Sequence, residues 1–125
     1  MKNSSSHNNV IYFVPVIVWM CFIYALSSRQ HITVAEEPMI NFLIFKTLHV
    51  VEYTILYVLN VFALKKNESR HPLLYAGYIT ILFAITDELH QMAVPTREGI
   101  FRDVLIDSVG VGTGNYILNK FQIVT

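Results

Sequence analysis

Residues 10–27 read VIYFVPVIVWMCFIYALS, a run of 18 residues without a charge. A helix needs roughly 20 apolar residues to cross the hydrocarbon core, with a lower limit near 17. The run therefore reads as a membrane span. It is longer than the roughly 7–15 apolar residues of a secretory signal, and Lys2 alone makes a weak basic start. We read it as a retained helix, although Ala25-Leu26-Ser27 has the small-x-small pattern of a cleavage site.

Working outward, three further segments follow. Residues 43–64 are apolar apart from Lys46, His49 and Glu52, and residues 73–94 are apolar until Asp87. Residues 103–118 are the weakest, with Asp103, Asp107 and the glycines Gly110, Gly112 and Gly114. Between them lie a loop over 28–41 containing Pro38, a charged turn (KKNESRH) over 65–71, and a turn (PTREGIFR) over 95–102. Pro38 reads as a helix breaker in its loop. The expected fold is all-α: a polytopic membrane protein, one domain over 1–125, folded as a bundle of four transmembrane helices.

Composition agrees. The 125 residues are 54% hydrophobic and only 14% charged, whereas a soluble domain carries about 25% charged residues. A chain this short cannot hide so much apolar surface in a soluble core. The net charge is zero, and no basic stripe with interleaved aromatics offers a nucleic-acid surface. The one cysteine, Cys21, has no partner for an internal disulfide and reads as packing. Lys2, Lys65, Lys66, Arg70 and Lys120 fall on one side of a four-helix topology, and Arg29, Arg97 and Arg102 on the other. The positive-inside rule then places both termini in the cytoplasm.

Four alternating helices also bring their polar residues to one end. Ser27, Ser28 and Arg29 close the first; Lys46, His49 and Glu52 enter the second. Asp87, Glu88, His90 and Gln91 leave the third, and Asp103 and Asp107 begin the fourth. At about 100° per residue, Lys46, His49, Tyr53 and Asn60 share a stripe about 60° wide, with Glu52 at its edge. Thr80, Asp87 and Gln91 share a face, as do Asp103, Asp107, Gly110 and Gly114. An ionisable group near the bilayer centre costs about 2.5–3.5 kcal/mol on insertion scales, so such faces should turn toward one another.

What the cluster does chemically stays open at this level. His49-x-x-Glu52 and Asp87-x-x-His90 set a histidine and a carboxylate on one helical side. A bundle metal site uses Glu-x-x-His with further glutamates, and the first pair is reversed, so we assign no metal and no cofactor. Asp103 and Asp107, one turn apart and near a histidine, suit acid–base chemistry, but no nucleophile motif accompanies them. Arg97 and Arg102 are positioned to brace Asp87, Glu88, Asp103 and Asp107 across the turn. Gly110 and Gly114 form G-x-x-x-G, a close-packing signal.

These residues together resemble the VanZ-like family of small bacterial membrane proteins. The resemblance rests on Asp87-Glu88, Gln91, Pro95, Arg97, Asp103-Val104 and Gly110, which follow a D-E-x-x-Q, P-x-R, D-V and glycine-rich order. Trp19, Ser27-Ser28, and His49 with Tyr53 extend it upstream. Asp107 stands where the family often has asparagine, and Thr96 where a glycine is common. The resemblance implies four membrane helices and a link, in the family's named member, to teicoplanin resistance; it implies no mechanism.

The expectation is a multi-pass protein of the bacterial cytoplasmic membrane. Its partners are the bilayer and a cell-envelope lipid or glycopeptide, and it is not expected to bind nucleic acid. Its candidate ligand-binding cluster is His49, Glu52, Asp87, Glu88, His90, Gln91, Arg97, Asp103 and Asp107. The alternatives are an embedded enzyme acting on a lipid-linked envelope precursor, or a small transporter.

Overall fold

The computed structural model describes residues 9–29, 33–95 and 101–124. A short 3-10 turn (Asn9–Phe13) leads into α1 (Val14–Ser27), followed by α2 (Pro38–Lys66), α3 (Pro72–Met92) and α4 (Phe101–Lys120). No strand occurs among the described residues.

Prolines set the starts. Pro38 and Pro72 occupy the first turns of α2 and α3, where the missing N–H has no intrahelical partner to lose and the fixed φ suits a helix. Pro38 thus begins α2 rather than breaking a loop, and the helix starts ahead of the apolar run at 43. Glu37 precedes it in an extended conformation. The ends of α2 and α4 turn through left-handed residues, Glu68 (φ 55°) and Gln122 (φ 51°). Ser69 N–H then reaches back to Leu64 O at 3.0 Å, and Ile123 N–H to Leu118 O at 3.0 Å. Both closures satisfy carbonyls that a helix end leaves over.

Packing follows from α2, the longest helix. It lies against α1, α3 and α4, and its most extensive contact is with α4. Gly110 and Gly114 make that contact close. A Cβ at Gly110 would lie 2.8 Å from Val50 O and 2.9 Å from Thr54 N, and one at Gly114 would lie 2.6 Å from the Tyr57 ring. Tyr53, Leu56, Val16, Ile23, Ala84 and Val104 form one apolar core; Tyr57, Val61, Ala76 and Leu118 form a second.

The interior and exterior are inverted relative to a soluble bundle. Asp87 and Asp107 are 1% exposed, while Leu82 is 62% and Ile17 59% exposed. Such a surface requires an apolar solvent. Three segments, Asn9–Ser27, Pro38–Lys66 and Pro72–Met92, are long and apolar enough to cross a membrane. The fourth helix is not, because Asp103, Asp107, Asn115 and Asn119 dilute it. It buries Asp103, Asp107, Gly110 and Gly114 inward and turns Leu105, Val109 and Tyr116 outward.

Candidate functional site

The site is built at the end of the bundle where α1 and α3 finish and α2 and α4 begin. The four carboxylates Asp87, Glu88, Asp103 and Asp107 meet there, each 5% exposed or less. All four helices supply the surrounding groups.

Asp103 pairs with Lys46, whose Nζ lies 2.7 Å from Oδ1. Arg102 leans away, its Nε 3.9 Å from the same oxygen, its side chain 60% exposed, and its guanidinium over the Phe42 ring. The brace expected from Arg102 is therefore supplied by a lysine from α2. Arg97 lies outside the described residues. His49 Nδ1 stands 3.4 Å from Asp107 Oδ1 and 3.9 Å from Glu52 Oε2. Neither contact is an aligned hydrogen bond, for that nitrogen has no hydrogen-bond partner among the described residues.

Asp87 is held differently. Its Oδ2 accepts from Ser27 Oγ at 2.8 Å, Tyr53 Oη at 3.1 Å and Gln91 Nε2 at 3.2 Å. Gln91 also donates to Ser27 Oγ at 3.3 Å. One carboxylate oxygen thus ties α1, α2 and α3 together. Its other oxygen has no hydrogen-bond partner among the described residues, and neither oxygen of Glu88 has one. His90 turns from this cluster to α1, stacking on Tyr24 at 4.1 Å between centroids, with Nε2 2.9 Å from Ser28 Oγ.

A cleft of about 120 Å³ opens beside the cluster, between the end of α1 and the first half of α2. Ser27, Arg29, His49 and Glu52 bring its polar walls. Trp19 Nε1 donates to Glu52 O at 2.9 Å and so ties α1 to α2 at one of the residues that line the cleft.

The basic groups in ion-pair contact with the buried carboxylates, among the described residues, are Lys46, His49 and the exposed Arg102. Acid exceeds base. Burying unpaired carboxylates is costly, so the site is suited to bind a donor or to hold and exchange protons. Among the described residues no three His, Cys, Asp or Glu side chains are grouped to hold a metal ion. Reasoning from sequence brought Ser27 and Lys46 to this polar end and Tyr53 onto the His49 stripe, but did not count the three among the candidate ligand-binding residues.

Residues 2–122 match the VanZ/LLP1 family. The chain belongs to that family. In this VanZ-type membrane protein the match takes in nearly the whole chain, so helices, polar end and cleft all lie inside it. No curated protein and no solved structure matches the chain.

Ser27 offers a direct test of how Asp87 ties the helices. Hydrogen bonds to charged groups contribute about 1.5–3 kcal/mol. Ser27→Ala is expected to lower unfolding stability in detergent by about that amount. Ser28→Ala, whose contacts are exposed, should change it by less than about 0.5 kcal/mol. Equal effects would show that the Asp87 tie is not a main contributor.

Proposed function

We propose that this VanZ-type protein is a multi-pass protein of the bacterial cytoplasmic membrane, with α4 crossing beside α2 and both termini in the cytoplasm. Its polar end lies at the outer leaflet, contacts a cell-envelope lipid or a glycopeptide, and lowers susceptibility to teicoplanin. The observation that carries this reading is the convergence of Asp87, Glu88, Asp103 and Asp107 beside an open cleft at one end of the bundle. Membrane proteins keep buried ionisable groups where function demands them. Lys65, Lys66 and Arg70 at the opposite end support the orientation through the positive-inside rule. The teicoplanin link rests on family kinship.

The test is growth. Cells expressing the protein should tolerate more teicoplanin than cells without it. Asp87→Ala, Arg97→Ala or Asp103→Ala should remove that gain at equal membrane levels. Retained tolerance in all three refutes the reading.

One contact favours a second reading, acid–base chemistry on a lipid-linked envelope precursor: His49 lines the cleft and stands against Asp107. Turnover of such a lipid by purified protein, lost in His49→Gln, would establish it; no turnover would dismiss it.

A further inference from the structure

We infer that the end of the bundle opposite the buried acids is a contact surface for phospholipid headgroups of net negative charge. This goes beyond the function proposed above, and it holds whichever side of the membrane that end faces.

The chain carries nine acids and nine lysines and arginines, yet the fold separates the two signs. The buried acids sit where α1 and α3 finish. At the other end α2 finishes with Lys65 and Lys66 and α4 with Lys120, and Arg70 lies in the turn before α3. Leu64, Leu73 and Val124 pack against the apolar cluster that includes Leu118, so the end of α4 lies beside that turn. All four cations are exposed. None of them has an ion-pair partner among the described residues. Lys66 Nζ lies over the Tyr12 ring, 5.8 Å from its centroid, and Lys120 Nζ over Tyr116 at 5.7 Å and Phe121 at 6.0 Å. Those rings hold the side chains in place but carry no net charge to balance them.

The surplus is local and large. Glu68 is the one acid at this end among the described residues, so the four cations leave three positive charges. Helix dipoles do not remove them. Two helix C-termini and two N-termini meet here, and their partial charges of about half a unit each cancel.

Position names the partner. Tyr12, Tyr116 and Phe121 are 43%, 63% and 66% exposed, and aromatic rings at the end of a span sit at headgroup level. The apolar segment of α2 ends at Lys66, so the cations stand at that same level. The negative group found there is the lipid phosphate. A zwitterionic headgroup already balances its phosphate with its own ammonium. Unbalanced cations therefore select headgroups whose net charge is negative. Each lysine or arginine near such a surface is worth about fivefold in binding.

The test uses purified full-length protein in mixed micelles with equal amounts of phosphatidylglycerol and phosphatidylcholine. The protein is captured, and the retained lipids are extracted and weighed by mass spectrometry. Phosphatidylglycerol should be retained at least about tenfold better. The preference should shrink toward equality in about 1 M salt, where the screening length falls to about 3 Å. Combining Lys65→Gln, Lys66→Gln and Arg70→Gln should abolish it. Glu68→Gln removes the one opposing charge and should raise it about fivefold. These positions are exposed, so the variants should fold, which unfolding by SDS checks. Should the triple variant misfold, the salt series and Glu68→Gln still decide. Equal retention of the two lipids, a preference unmoved by salt, or no rise in Glu68→Gln would overturn the inference. So would displacement of the lipid by soluble glycerol phosphate at the lipid's own concentration, which would mean a site for free phosphate.

Discussion

Gly110→Ala should detach α4 from α2. A Cβ there would meet Val50 O at 2.8 Å, Thr54 N at 2.9 Å and Tyr53 Cβ at 2.9 Å. Two of those atoms are backbone in the middle of a helix and cannot rotate aside. Overpacking costs about 1–3 kcal/mol where neighbours can adjust; here the upper end, about 3 kcal/mol, is expected because α4 itself must move. Thr54 Oγ1, which donates to Gly110 O at 3.2 Å, would lose that contact in the same displacement. Gly112→Ala is the internal control. Nothing lies within 4 Å of a Cβ at Gly112, and alanine is the better helix former by about 1 kcal/mol. Unfolding by SDS titration should show a large loss for the first variant and none for the second. Matching curves would mean that α4 does not approach α2 through Gly110.

The second large effect concerns Lys46 and Asp103. Their pair is mostly buried, with side-chain exposures of 19% and 8%. Removing one partner of a buried pair costs about 3–5 kcal/mol because the other charge is left uncompensated, whereas replacing both by apolar residues is often neutral. Lys46→Met should therefore destabilise strongly. Arg102 could soften the loss, since its Nε is already 3.9 Å from Asp103. Lys46→Met with Asp103→Leu should recover most of the lost stability. A double-mutant cycle reads the coupling directly. Additive effects would show that the two residues do not act as a pair.

The fold class is legible in the sequence because a bilayer imposes a coarse rule. Uncharged runs such as residues 10–27 have few alternatives to a spanning helix. Helix starts are less legible. Pro38 both forbids a helix interior and favours a first turn, and only the packing of α2 shows which property applies. Angular spacing also carries the meeting of polar faces: Lys46, His49 and Tyr53 do face Asp103, Asp107 and Asp87. Partner choice is not legible. It depends on how far α4 slides along α2, which the close approach at Gly110 and Gly114 sets. That register makes Lys46 the close partner of Asp103, at 2.7 Å, and leaves the neighbouring arginine farther off, at 3.9 Å. Ser27 joins Asp87 from a distant helix, and no local pattern announces such a contact. His90 shares its helix end with Asp87 yet points elsewhere, because one residue step of about 100° separates it from the Gln91 face.

The central claim is that the buried acids serve function beyond the cohesion that Asp87 and Asp103 supply, and Glu88, which ties no helix, separates the two. It is 5% exposed and neither oxygen is hydrogen-bonded among the described residues. Glu88→Gln keeps the shape, removes the charge and breaks no hydrogen bond in the bundle, so folding should be retained. The decisive measurement is the teicoplanin tolerance of cells expressing Glu88→Gln or the unaltered protein at matched membrane levels. We expect the variant to fall to the tolerance of cells lacking the protein. Tolerance equal to that of the unaltered protein would contradict the account.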